Sequence, residues 1–110
     1  MRITAELTDS VRPQGRQSKR TDVQLSAGYR EGSARGLVEV VDISPSGVKI
    51  ESHLTLYPDS YIWLKLPGLE AWQARIAWVD GDQAGCEFAR PLHPAVLEQV
   101  VAARRAAQLR

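Results

Sequence analysis

From Val23 onward the chain runs in short stretches of alternating apolar and polar residues, cut at close intervals by turn residues. That period of two restricts the fold to half-buried strands joined in hairpins. Val23, Leu25, Ala27 and Tyr29 share one face of the first stretch. Glu31-Gly32-Ser33 reads as a turn, Leu37–Ile43 as a second strand, Ser44–Gly47 as a connection and Val48–Ser52 as a third strand. Ile62, Leu64 and Leu66 alternate before Pro67-Gly68, and Trp72, Ala74, Ile76 and Trp78 alternate before the hairpin signal Asp80-Gly81. Gly85–Ala89 supplies the last strand, and Trp63, Trp72 and Trp78 are expected to serve barrel packing.

After His93-Pro94 the period changes. Leu97, Val100 and Val101 recur at helical spacing, a proline suits the first helical position, and Arg104, Arg105 and Arg110 fall where a helix C-terminus favours cations. The expectation is an all-β fold with one helix: a six-stranded antiparallel barrel, closed or nearly so, followed by a C-terminal α-helix that plugs one end or packs outside. Closure is favoured because it removes the bare strand edges of a small open sheet. A chain of 110 residues, 44% apolar and 25% charged, suits one core. Residues 1–19 are polar, with Pro13 and Gly15 and no sustained period, and are expected as an irregular basic arm ahead of the barrel and helix at 20–110.

Several classes of function are disfavoured by what the chain lacks. Cys86 is alone, so no disulfide framework exists, and its apolar surroundings predict a buried thiol in a reducing compartment, the cytoplasm. No apolar run approaches the roughly 20 residues of a membrane span. A net charge of +1 disfavours a general DNA or RNA binder. His53 and His93 stand far apart without companions at ligand spacing, which argues against a metal site. Neither GxSxG, HExxH nor a P-loop occurs, so binding without catalysis and without a cofactor is the reading.

The chemistry concentrates in two clusters. Arg12, Arg16, Lys19 and Arg20 form a stretch without an acidic residue, a local field suited to a small anion. By itself such a stretch is more often a solvated basic arm. Asp42-Ile43-Ser44-Pro45-Ser46-Gly47 joins two predicted strands, and an aspartate and a glycine there also suit an ordinary hairpin turn. Gly47 fits a connection where a side chain would strike a ligand or where the backbone needs a positive φ.

The ordered pair of clusters carries more than either alone. RxxxR at Arg16 and Arg20, then (D/N)xSxxG at Asp42, Ser44 and Gly47, set in barrel patterning, resembles a PilZ domain. Trp78 and Gly85-Cys86-Glu87-Phe88 resemble the family's late hairpin, so the likeness covers roughly residues 16–105. The resemblance implies a receptor for cyclic di-GMP in bacterial second-messenger signalling. Its ligand contacts would be Arg16, Arg20, Asp42, Ser44 and Gly47, with Arg12 as a further guanine contact if the nucleotide binds as a stacked dimer. Arginine forks suit this ligand because they pair bidentately with phosphate or with guanine O6 and N7 and stack on purines. A carboxylate such as Asp42 can accept from guanine N1–H and its amino group. Binding would order the arginine arm and present a new surface to a protein partner controlling motility, biofilm formation, polysaccharide synthesis or the cell cycle. The alternative is a PilZ-type adaptor that binds no nucleotide and works through a constitutive protein interface, and a barrel of this size is expected as a monomer or weak dimer.

Overall fold

The structure, a computed structural model, describes residues 20–108. In chain order it contains β1 (Thr21–Glu31), β2 (Ala34–Ser44), β3 (Gly47–Glu51), β4 (Tyr61–Lys65), β5 (Trp72–Asp80), β6 (Gln83–Phe88) and α1 (Pro94–Gln108). The strands are antiparallel in the order β1-β2-β3-β6-β5-β4. β4 returns to β1 through the pairs Gly28–Lys65, Tyr29–Leu64 and Arg30–Trp63, which closes the barrel. The expected all-β architecture with one helix is therefore present. Arg12, Arg16, Lys19, Arg110 and the predicted arm at 1–19 lie outside the described residues.

Alternation produces the core directly: the inward residues Val40, Ile43, Ile50, Ile62, Leu64 and Ile76 are all fully buried. The Asp80-Gly81 signal corresponds to the β5–β6 hairpin, where Gly81 has a φ of 61° at the first position of a two-residue loop. This left-handed backbone, easy for glycine, matches the twist of the flanking strands. α1 begins with Pro94, after His93 has capped it: the His93 Nδ1 accepts from the Ala95 N–H at 3.0 Å. Leu97, Val100 and Val101 enter the same apolar cluster as the strands, so the helix plugs a barrel end. Its start is tied to the β2–β3 connection by the Leu92 N–H donating to the Pro45 carbonyl, and further along Arg104 Nε donates to the Gln24 carbonyl of β1.

Two expectations need correction. β2 begins at Ala34 rather than Leu37, because the two-residue Gly32-Ser33 turn lets pairing run out to Glu31 opposite Ala34. Barrel packing accounts for only one of the three tryptophans. Trp72 lies against the core, its Nε1 donating to the Arg90 carbonyl at 2.7 Å while the Arg90 guanidinium lies 4.7 Å from its ring centroid. Trp63 sits between the inward Ile62 and Leu64 and faces out. Trp78 also faces out, because a β-bulge between Ile76 and Trp78 reverses the alternation and hands the inward place to Val79.

Candidate functional site at the Asp42 turn

The Asp-x-Ser-x-x-Gly segment is the end of β2, a two-residue loop of Pro45 and Ser46, and the start of β3, with Ser44 paired to Gly47. Proline holds φ negative, which rules out the primed turns that suit hairpins best. The loop is instead fixed from several sides. Ser44 is buried at 3% exposure, and its Oγ accepts from the Ser46 N–H at 3.3 Å and lies 3.1 Å from the Ser46 Oγ. The Phe88 N–H donates to the Ser46 carbonyl and the Leu92 N–H to the Pro45 carbonyl, each at 2.8 Å. The turn is thereby clamped to the segment linking β6 to α1.

Gly47 is required here for a reason different from those the sequence offers. Its φ is not in the left-handed region, and a Cβ on it would lie 2.1 Å from the Cys86 carbonyl oxygen. Close passage of β6 leaves no room for any side chain. Cys86, paired with Val48 on the same strand, is buried as expected, and burial pushes its thiol up to about 12.

Asp42 and Arg20 come together. The Arg20 guanidinium donates through Nη1 to Asp42 Oδ1 at 3.2 Å, joining the residue just before β1 to the end of β2. The Asp42 side chain is 14% exposed and Arg20 65% exposed, so the acceptor is anchored while the cation reaches into solvent. An exposed pair of this kind is worth about 0–1 kcal/mol and is easily exchanged for a stronger anion. Irregularities in β1 between Asp22 and Leu25, and in β2 between Val40 and Asp42, shape the sheet beside this pair.

The register adds residues that sequence reasoning left without a role. Asp42 lies opposite Asp22 on β1 and Lys49 on β3; Lys49 lies opposite Gly85 on β6, and Gly85 opposite Trp78 on β5. One outer row thus runs Asp22, Asp42, Lys49, Gly85, Trp78. A Cβ on Gly85 would meet Trp78 Nε1 at 2.2 Å, so the indole occupies the space above the glycine. Beside Asp22, a depression of about 260 Å³ is lined by Val23, Gln24, Val101, Arg104 and Arg105, where α1 crosses the β1 bulge. In the sequence only Trp78 and the Gly85-Cys86-Glu87-Phe88 stretch signalled this row, through their likeness to the late hairpin.

The described residues thus form a closed six-stranded barrel capped by one helix, with an arginine at its entry paired to the aspartate of an Asp-x-Ser-x-x-Gly turn. The chain matches the PilZ domain family over residues 14–103 and belongs to that family. Among solved structures it is similar to the Bacillus subtilis Inhibitor of motility (MotI/DgrA), with 16% identity, a TM-score of 0.59 and coverage of 87% of this chain. The chain spans 52% of the length of that one, and the likeness is one of fold. No curated protein matches the chain. No described helix is long and apolar enough to cross a membrane.

Proposed function

We propose that this PilZ domain is a cytoplasmic bacterial receptor for cyclic di-GMP, binding at the Asp42 turn and relaying occupancy to a protein partner. The Arg20–Asp42 pair carries this reading, because it places a guanidinium fork and an anchored carboxylate side by side. These are the groups that a guanine base with a phosphate requires: the fork for phosphate oxygens or O6 and N7, the carboxylate for N1–H and the amino group. Arg16, one RxxxR step before Arg20, brings the second fork, and the segment carrying it closes over the nucleotide on binding. Arg12 adds a guanine contact where two nucleotides stack. The buried Ser44 and the side-chain-free Gly47 serve the site by fixing the turn, which leaves the exposed Ser46, its hydroxyl 3.1 Å from that of Ser44, beside the ligand.

Charge-assisted bonds from two arginines, Asp42 and a turn serine, with stacking on the bases, less the cost of ordering a short segment, are expected to leave about 8 kcal/mol, a dissociation constant in the micromolar range. MotI/DgrA is named an inhibitor of motility, which supports motility control as one output for a barrel of this fold. Asp42 provides the test, through the ratio of cyclic di-GMP to cyclic di-AMP affinity. Asp42→Ala is expected to lower that ratio at least about five-fold, since one lost base-edge pair is worth about 1–3 kcal/mol. An unchanged ratio would reduce Asp42 to a turn residue and remove the basis of the reading.

A further inference from the structure

A second surface lies on another part of the barrel wall, on the outer faces of β2, β1 and β4. Arg35 stands directly opposite Arg30, and Arg30 directly opposite Trp63. The pair Glu31–Ala34 closes a two-residue loop and is therefore the hydrogen-bonded kind, which makes Arg30–Arg35 the non-bonded kind whose side chains stand closest. Like charges so placed destabilise a sheet. In the adjacent row Leu37 and Lys65 flank Gly28, where the Lys65 Cβ lies 3.3 Å from the place a Cβ would take. Leu37 is 73% exposed, Trp63 is 37% exposed, and the Arg30 guanidinium sits 5.8 Å from the Trp63 ring centroid.

The cations of this patch are not neutralised within the barrel. Arg75, further along the wall, is bridged to Asp59 at 2.8 Å and Glu87 at 3.0 Å. Among the described residues no ion pair involves Arg30, Arg35 or Lys65. The carboxylates nearest in sequence are turned to hydroxyls, Glu31 accepting from Tyr29 and Glu39 from Ser26.

We propose that this face docks an acidic protein segment whose apolar side chain rests on the exposed Leu37 and Trp63. Arginines beside an exposed tryptophan match the make-up of protein-interface anchors, and their charge together with that of Lys65 fits a partner rich in Asp and Glu. Three cations are too few for nucleic acid, whose binding draws on many phosphates, and too few for an anionic bilayer, which takes clusters of about 4–8. This docking is independent of the nucleotide reading, because none of its residues belongs to the Asp42 row.

The test is fluorescence anisotropy with labelled twelve-residue peptides: one of Asp and Glu around a central Leu-Phe pair, and the same peptide with Gln and Asn for the acids. A twenty-nucleotide oligo-dT and phosphatidylglycerol vesicles serve as rival probes. The acidic peptide is expected to bind saturably, to weaken with salt, and to lose at least ten-fold in affinity with Arg30→Glu and Arg35→Glu combined. Arg35→Glu alone replaces a repelling cross-strand pair with an attracting one, so it is expected to raise the melting temperature while weakening the peptide. Absence of saturable binding, equal binding by the double variant, equal binding of the neutral peptide, or preference for oligo-dT or vesicles would each overturn the proposal.

Discussion

Gly47 lies opposite Glu87, and its backbone passes close to the carbonyl of the neighbouring Cys86. A Cβ at position 47 would press on the Cys86 carbonyl, which is part of the sheet and has nowhere to move. Gly47→Ala is accordingly expected to cost about 3 kcal/mol, the upper range for forcing an extra carbon into packed structure. Urea denaturation checks this, and a loss under about 1 kcal/mol would mean that β6 yields where it is assumed rigid. Burial raises the Cys86 thiol to about 12, whereas in the unfolded chain it ionises near about 8.5. The neutral thiol is the folded form, so its contribution is complete below the unfolded value and declines as pH rises toward the folded one. By pH 10 the native protein should lose about 1–2 kcal/mol that Cys86→Ala does not lose, measured as denaturation midpoints at pH 7.5 and 10. Parallel pH dependence in the two proteins would contradict the burial of the thiol. At this scale Arg20 and Asp42 were legible in the sequence because their chemistry marks them wherever they sit. Lys49 and Trp78 were not, since their place in one row with Asp42 exists only once β2, β3, β6 and β5 lie in register.

The β2–β3 connection shows how an element can be held by its neighbours. Proline excludes the turns that hairpins prefer, and the loop is kept in place by the Ser44 hydroxyl and by two backbone bonds from Phe88 and Leu92. Ser44 and Ser46 therefore divide the work. Ser44→Ala should cost about 1 kcal/mol of stability together with several-fold in nucleotide affinity, because the turn loosens. Ser46→Ala should weaken the nucleotide with little loss of stability, as an exposed hydroxyl would. Paired calorimetry and thermal melts separate these effects; a Ser44→Ala protein with native stability and weakened binding would make Ser44 a direct ligand contact instead. Strand existence was readable from alternation in all six cases, since inward residues such as Ile62 and Leu64 must be apolar. Alternation failed at Trp78 because one inserted residue in β5 flips every side chain beyond it, and no turn residue announces the bulge.

At the scale of the molecule, one barrel carries two separate outer surfaces. The Asp42 row joins an anchored carboxylate to the Arg20 fork, and the β1–β2–β4 face gathers cations without an ion pair among the described residues around Trp63 and Leu37. α1 lies near the first of these, plugging the end of the barrel at the Pro45 turn and holding the β1 bulge through Arg104. Barrel closure followed from the sequence by the argument against bare edges, whereas the strand order that sets these surfaces apart came only from the pairings. The central claim is that the arginine motif and the Asp42 turn bind one ligand. Isothermal titration calorimetry with cyclic di-GMP at moderate salt, on the native chain and on the Arg16→Ala, Arg20→Ala double variant, tests it most directly. The account predicts saturable micromolar binding by the native chain and loss of at least roughly thirty-fold, about 2 kcal/mol, in a variant that melts like the native protein. Equal binding by the two proteins, or no heat from a folded native chain at several temperatures, would contradict it.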